Sequence, residues 1–328
     1  AGSLYLASYL GVEIYNVNVW KTVYLTMASL MMVGILTTIY SPEPNIRRKI
    51  SLLNFNDQLR FLITFILAII LFIFVYSFLD NPFDGKEPLE KFLYAFIRLC
   101  FCFISSGLFI YLLIKTNFIK KSSATTAYLK PISNFIGRYG KTAFLILLLI
   151  GLYRIADIVM GVVANIFYLD KGYNVKDIAT YSKFFGVFAT IIGGIIGGYS
   201  AIKIGTLKAL FIGAVIAAAS NLLFAWLAVS NPDINILIIV ITADNISSGF
   251  AGAAFVVYLS ALTSIKFTAT QYALFSSLML LLPKVLAGYS GAIVNQIGYA
   301  NFYIFTAIIG VPVLLLIIWI AKIAPVKD

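Results

Sequence analysis

The sequence predicts an all-α, polytopic membrane protein built as a bundle of helices. Of its 328 residues, 61% are hydrophobic and only 11% are charged, and the mean hydropathy is +0.98. The apolar residues form continuous runs, and a run of about 20 residues is enough to cross a bilayer. A transmembrane β-barrel would instead show short segments of alternating polarity.

Nine full spans and one partial span are predicted from these runs. Residues 2–11 are apolar but too few to cross a bilayer, so we interpret them as the end of a helix whose beginning is missing. The nine full spans are predicted at 20–40, 60–79, 91–114, 142–168, 183–203, 208–229, 234–261, 270–295 and 302–321.

The basic residues alternate between the loops on the two sides of the predicted bundle. The loops on one side carry 15 of the 24 Lys and Arg residues, and those on the other side carry six. Because loops rich in Lys and Arg stay in the cytoplasm, this side and the C-terminus are predicted to be cytoplasmic. The net charge of +11 is therefore a topology signal, and no nucleic-acid partner is expected. The basic loops are 41–60, 115–141, 203–208, 262–269 and 322–328.

Arg154 and Asp157 lie in the middle of one apolar run, which makes them the first candidates for a functional site. A charge inside a membrane is costly and by default marks a substrate or ion pathway. Three residues apart on a helix, the two side chains can reach each other. One interpretation is that they neutralise each other and only join two helices. The other is that they line a polar pathway, where one of them handles a proton or a substrate charge.

Two further stripes of polar residues are predicted to face the interior of the bundle. Asn165 follows Asp157 at a spacing of eight residues, with Gly161 between them, so all three share one side of a helix. The span 234–261 carries Asp244, Asn245 and Ser248. Close helix packing explains the amide and the hydroxyl, but an unpaired acid at this depth favours a functional site. Arg154 and Lys284 are the candidate partners of Asp244.

Lys284 follows Pro283 in the span 270–295, and proline bends a helix. Such a lysine could reach a cavity and bind an anionic substrate, or it could extend towards the membrane surface. The span 183–203 contains the sequence GGIIGG, whose spacing of small residues favours close approach of a neighbouring helix.

The composition excludes several kinds of chemistry. The chain has no His and only two Cys, at positions 100 and 102, so neither a metal site nor a His-based proton relay is expected. There is no nucleotide-binding glycine loop and no catalytic Ser/His/Asp set. We therefore expect no cofactor and no enzyme activity. The acids within the membrane leave coupling to an ion gradient as the source of energy.

Four short motifs resemble a known family. The segment Phe267–Leu274, FTATQYAL, is similar to the F-x-A-T-Q-[FY]-A-L segment of AmpG-type muropeptide permeases, which makes Gln271 a further candidate site residue. The sequence LYRIADIV resembles that family's L-Y-K-x-x-D segment, and SPEP at 41–44 resembles its A-P-E-P. The loop Gly198–Lys208 resembles the loop signature of the major facilitator superfamily, with Ile202 where that signature has an acid.

This resemblance implies a proton symporter that imports anhydro-muropeptides, which are sugar-peptides, across the bacterial inner membrane for cell-wall recycling. It implies a major-facilitator-like bundle that is incomplete at its N-terminus: 1–40 as a remnant of the N-terminal bundle, 41–141 as two extra spans and a cytoplasmic linker, and 142–328 as a C-terminal six-helix bundle. Protons, the lipid bilayer and a missing N-terminal half are the expected partners. The alternative is a non-transporting fragment or partner subunit of such a permease.

Overall fold

The computed structural model describes residues 6, 9–10, 17–42, 55–79, 88–119, 125 and 129–323, apart from the side chains of Pro88, Leu89, Val175 and Lys183. Several predictions therefore lie outside the described residues. They concern most of the partial helix 2–11, the second half of the SPEP turn, the basic residues 47–49, the acidic loop 80–87, part of the linker 115–141 and the C-terminal residues 324–328.

Helices account for 90% of the structure, and no strand occurs in the described residues, which confirms the predicted all-α class. The helices are α1 (Val17–Tyr40), α2 (Phe55–Phe78), α3 (Pro88–Lys115), α4 (Lys130–Tyr139), α5 (Thr142–Leu152), α6 (Ile155–Asp170), α7 (Gly186–Ile204), α8 (Thr206–Val229), α9 (Ile234–Leu262), α10 (Thr268–Ala287), α11 (Ser290–Ile309) and α12 (Val311–Ile323).

The described residues contain nine helical segments that are long and apolar enough to cross a membrane, which confirms the predicted number of full spans. Several of these segments differ in detail from the prediction. The segment Thr142–Asp170 consists of α5 and α6, which meet at Tyr153 and Arg154. The segment Ile178–Ile204 begins five residues earlier than predicted, because a π-helical stretch, Ile178–Phe185, precedes α7.

The helix is interrupted at Gly298, inside the range of α11. Gly298 has φ 76° and ψ 166°, which is not a helical conformation. The next residue, Tyr299, donates a hydrogen bond to Asp170 at the end of α6. The two predicted spans 270–295 and 302–321 lie on either side of this interruption. The first of them is interrupted at Gly288 and Tyr289, where α10 ends and α11 begins.

Two apolar clusters show how these helices run past each other. The first, here called the Ile150 cluster, takes residues from α5, the C-terminal half of α9 and α12. The second, the Tyr303 cluster, takes residues from α6, the N-terminal half of α9 and α11. Helices α8, α9 and α10 each contribute to both clusters, so the clusters are stacked along the direction of these helices.

Close packing of α7 on α9 follows the glycine pattern predicted for this region. A Cβ atom built on Gly193 would lie 2.2 Å from the carbonyl oxygen of Ile246, and one built on Gly197 would lie 2.3 Å from that of Phe250. On the facing helix, a Cβ on Gly249 would lie 2.1 Å from the carbonyl oxygen of Thr190. Only hydrogen atoms fit at these three positions, and α9 is thereby held in a fixed register against α7.

Helices α2 and α3 pair with each other and reach the rest of the protein through α3. Phe72 and Phe103 pack edge to face with ring centroids 5.1 Å apart. The guanidinium of Arg98 lies over the ring of Tyr76, 3.8 Å from its centroid. At the start of α3, the carbonyl oxygen of Lys91 accepts a 2.8 Å hydrogen bond from the hydroxyl of Tyr289.

Candidate functional site

A belt of polar side chains separates the two apolar clusters. The belt residues lie at the start of α6 and on α8, α9 and α11. Along the chain, they fall between the residues of the Ile150 cluster and those of the Tyr303 cluster. We call this set the polar belt; it consists of Arg154, Asp157, Ser220, Asn221, Asp244, Ser247, Ser248 and Thr306.

Arg154 occupies the break between α5 and α6. Its backbone has φ −96° and ψ 11°, outside the helical range, while its carbonyl oxygen accepts a 3.0 Å hydrogen bond from the N–H of Ile158. The side chain pairs with Asp157: Nε lies 3.0 Å from Oδ2, as their spacing in the sequence predicts. Both side chains keep some exposure, 23% for Arg154 and 14% for Asp157. The pair is therefore accessible from one side of the described helices.

Arg154 also connects α6 to α9. Its Nη2 donates a 3.2 Å hydrogen bond to the Oγ of Ser248. Its Nη1 would lie 3.1 Å from a Cβ atom at position 252, so Gly252 leaves the space in which the guanidinium lies. The structure thus brings together three of the predicted site residues, Arg154, Asp157 and Ser248.

Asp244 lies in the same belt but has no comparable partner. Its carboxylate interacts with the hydroxyl of Ser220 and lies within electrostatic range of both Asp157 and Arg154. The Oγ of Ser220 in turn lies 3.1 Å from the Oγ of Ser247. Among the side chains that the structure describes, no basic group forms an ion pair with Asp244. An acid in this position keeps an unneutralised charge, or gains a proton.

Sequence reasoning missed several polar groups of this belt region, among them the amide of Asn221 and the hydroxyl of Tyr303. Asn221 on α8 is 0% exposed, and neither atom of its side-chain amide has a hydrogen-bond partner among the described residues. The hydroxyl of Tyr303 is likewise buried and unpartnered there, and it interacts electrostatically with Asp244. The surrounding sequence, AAASNLLFAW, gave no signal because one amide in an apolar run also fits ordinary helix packing.

Asn245 has a packing role in the structure. Its Nδ2 donates a 2.8 Å hydrogen bond to the carbonyl oxygen of Ile241, and its Oδ1 accepts a 3.0 Å hydrogen bond from Thr190 on α7. The same side chain lies against Gly186. Of the two interpretations given for this helix, close packing describes Asn245, and a polar pathway at Asp244 and Ser248 stays a prediction.

Asn165 does not lie inside the described bundle, contrary to the prediction for its stripe. Both Gly161 and Asn165 are exposed, on the same side of α6 as the partly exposed Asp157. The residues that enter the core from α6 are instead its apolar ones, among them Val159, Val163 and Phe167. Burial of these larger apolar side chains orients the helix and leaves the polar stripe on the surface.

Gln271 lies far from the polar belt, at the junction of α4, α9 and α10, and is 1% exposed. Its Nε2 donates to the carbonyl oxygen of Pro131 at 2.8 Å and to Oδ1 of Asn134 at 3.3 Å. Its Oε1 accepts from the backbone N–H of Ser264 at 2.7 Å and from Arg138 at 3.2 Å. The amide is saturated by these contacts, which makes it a structural cross-link. We call this group the Gln271 junction.

Lys284 does not join the belt either. Its side chain is exposed and borders a shallow groove between α10 and α3, lined by Leu99, Leu280 and Leu281 among others. The charged groups that interact with Asp244 are Asp157 and Arg154. Of the two partners predicted for Asp244, the structure therefore places Arg154 nearby and Lys284 elsewhere. The position of Pro283 within α10 does not turn Lys284 inward.

Comparison with known proteins gives the family. No family profile matches the chain. A Rickettsia prowazekii protein named "Putative transporter AmpG 1" is 34% identical over 261 residues, which is 75% of this chain and 58% of that protein. Proteins of Rickettsia conorii and Rickettsia felis, both named "Putative transporter AmpG 4", are 32% and 34% identical over 206 and 208 residues, covering 63% of this chain and 49% and 50% of theirs. The chain spans about half the length of the curated relatives it matches.

The nine apolar helical segments of the described residues define a multi-pass α-helical membrane protein. The relatives identify its family. The chain belongs to the AmpG-type permease family, as its FTATQYAL and LYRIADIV segments predict.

Proposed function

We propose that this chain is a secondary active transporter, a proton symporter that imports anhydro-muropeptides across the bacterial inner membrane for cell-wall recycling. The observation that carries this proposal is the polar belt. It holds an ion pair, Arg154 with Asp157, beside a second acid, Asp244, that has no basic partner among the described side chains. The homologous AmpG transporters support the transport role.

The ion pair suggests how substrate binding and proton uptake are coupled. A muropeptide carries carboxylates on its peptide part, and a guanidinium binds carboxylates in a two-pronged geometry. A substrate that takes Arg154 leaves Asp157 without its partner at a depth where a lone charge is costly. Uptake of a proton by Asp157 or Asp244 removes that cost, and release of the proton on the other side restores the starting state.

The predicted division of the chain is part of this proposal. Residues 142–328 form the C-terminal bundle, 41–141 contribute two extra spans and a linker, and 1–40 are a remnant of the N-terminal bundle. The basic loops and the C-terminus lie in the cytoplasm. The exposed stripe of Asp157, Gly161 and Asn165 then faces a missing N-terminal half, because polar side chains inside a membrane border protein or a water-filled cavity.

A second candidate function is a non-transporting fragment or partner subunit of such a permease. It is supported by the exposure of Asn165 and Gly161 on α6. On this alternative, the chain folds and presents the same stripe but does not move substrate by itself.

Uptake of labelled anhydro-muropeptide into vesicles that contain the full chain, with and without an imposed proton gradient, separates these two functions. Under the symport proposal, label accumulates only with the gradient, and Asp157→Asn and Asp244→Asn abolish accumulation. Cys100→Ser, which alters an exposed residue of α3, is the control and leaves uptake unchanged. Vesicles of the unaltered chain that never accumulate label favour the partner-subunit function.

A further inference from the structure

The segment 115–141, which joins α3 to α5, carries an unusual concentration of positive charge. Six of its 27 residues are Lys or Arg, and none is Asp or Glu. Helix α4 lies in this segment, and only Gly140 and Lys141 separate it from the membrane-spanning α5. A short amphipathic helix in this place lies at the level where a bilayer ends.

The Gln271 junction holds α4 in one orientation. Arg138 donates a 2.7 Å hydrogen bond to the carbonyl oxygen of Leu262, and Gln271 bonds the carbonyl oxygen of Pro131. Between these contacts, the buried ring of Phe135 packs against Phe275 with centroids 5.0 Å apart. The side of α4 that carries Pro131 and Phe135 is therefore fixed against the bundle, and the opposite side points away from it.

The apolar face of α4 extends beyond this contact. Leu129, Ile132 and Ile136 are 58%, 43% and 50% exposed. At about 100° per residue, the three side chains fall within an arc of about 60°, next to the arc of Phe135 and Tyr139. Lys130 projects from another side, about 160° away from Ile132 by the same rotation, and Lys141 follows the end of the helix, after the non-helical Gly140. The helix thus has one continuous apolar face, of which the bundle covers only part.

We propose that α4 is a membrane-interface helix that binds anionic phospholipid. Its uncovered stripe of Leu129, Ile132 and Ile136 lies at the boundary of headgroups and acyl chains, and Lys130 and Lys141 contact the phosphates. Two features favour this occupant. Phe144, near the start of the adjoining span α5, is 71% exposed, and the segment 115–141 has basic but no acidic residues. Helices of this kind lie in the interface plane, and a cluster of basic residues next to a span attracts anionic lipid.

Lipid-depth quenching tests the burial of the stripe. In the full chain with Cys100→Ser and Cys102→Ala, a single cysteine introduced by Ile136→Cys carries an environment-sensitive fluorophore, in nanodiscs of defined composition. Lipids brominated near the headgroup end of the acyl chain are expected to remove roughly half of the emission, because such faces insert about 5–10 Å below the headgroup boundary. Ser133→Cys is the matched control on the same exposed side, outside the apolar arc, and is expected to lose little emission.

Brominated phosphatidylglycerol and brominated phosphatidylcholine, each as a minor component, test the lipid class. We expect phosphatidylglycerol to quench the Ile136→Cys label roughly twofold more, and this excess to disappear at high salt and in the double variant Lys130→Gln, Lys141→Gln. Equal quenching at positions 133 and 136, or none at either, overturns the membrane-interface assignment and leaves a protein partner as the occupant. Equal quenching by the two lipids overturns the anionic preference. Neither readout depends on transport.

Discussion

The polar belt and the Gln271 junction bury similar side chains in opposite ways. In the Gln271 junction, both atoms of the side-chain amide are bonded, to Pro131, Asn134, Ser264 and Arg138. In the polar belt, Asn221 is equally buried, yet neither atom of its amide has a partner among the described residues. The amide of Gln271 therefore cross-links distant parts of the chain, whereas the amide of Asn221 makes no hydrogen bond among the described residues.

This difference distinguishes buried polar groups that stabilise the fold from buried polar groups that are available for function. A buried polar group that makes its hydrogen bonds stabilises the fold modestly, but one without partners costs the free energy of its desolvation. A protein retains such a cost where a ligand, an ion, a proton or water uses the group. By this criterion the belt around Asp244 is the candidate transport site, and Gln271 is excluded from it.

The largest loss of stability is expected for Gln271→Leu. The change leaves the N–H of Ser264 and the carbonyl oxygen of Pro131 unpaired, and buried unpaired groups cost about 1–3 kcal/mol each, so we expect about 3 kcal/mol. Thermal unfolding of the purified chain in detergent measures it. Asn165→Leu, on the exposed face of α6, is the control and should change stability by less than about 0.5 kcal/mol. Equal effects of the two changes would remove the structural role given to Gln271.

The sequence could not show this role of Gln271, because its partners are remote. Arg138 and Pro131 lie 133 and 140 residues earlier in the chain, and only the fold brings them to position 271. The pair of Arg154 and Asp157 was predictable because its members are three residues apart on one helix. Likewise, hydropathy predicted nine spans, and the small-residue spacing predicted that a neighbouring helix, which the structure shows to be α9, packs closely on α7.

The local sequence pattern does not predict which side of a helix faces the core, as three residues show: Lys284, Asn165 and Asn221. Hydropathy gives the depth of a residue in the membrane but not the side of the helix that faces the core. Lys284 and Asn165 lie at suitable depths yet are exposed, while Asn221 is enclosed between apolar neighbours. The side that faces the core is determined by the packing of large apolar side chains from helices that are distant in sequence. An example is Phe224 against Tyr303, whose ring centroids are 5.1 Å apart.

Asp244→Asn should have the opposite effect on stability from Gln271→Leu. Because an unpaired acid within the membrane is costly and the neutral amide is cheaper to bury, we expect the free energy of unfolding to rise by about 2 kcal/mol. Proton-driven uptake should be lost at the same time. Unfolding in detergent and uptake in vesicles, measured on one preparation, check both effects. A destabilised variant would show that Asp244 has a structural partner.

Asn221→Leu tests the unpartnered amide directly. Replacing a buried group that makes no hydrogen bond with an apolar one of similar size should raise stability by about 1 kcal/mol, because the desolvation cost disappears. Thermal unfolding again provides the measurement, and Asn245→Leu is the matched control on the neighbouring helix. Since Asn245 bonds both Ile241 and Thr190, its replacement should lower stability. If both variants lose stability alike, Asn221 has a hydrogen-bond partner in the membrane.

The smallest effect on stability is expected for Ser248→Ala, which removes one of the two contacts of Arg154. Hydrogen bonds between membrane helices contribute about 0.6 kcal/mol on average, so the loss in unfolding free energy should be of that order. Arg154 keeps Asp157 as its partner, 3.0 Å away, and the fold is therefore maintained. Under the transport proposal, the freed guanidinium loses its orientation, and the apparent affinity for substrate falls more than the stability does. A Ser248→Ala chain that unfolds early but transports with unchanged affinity would place Ser248 with the structural residues, beside Asn245.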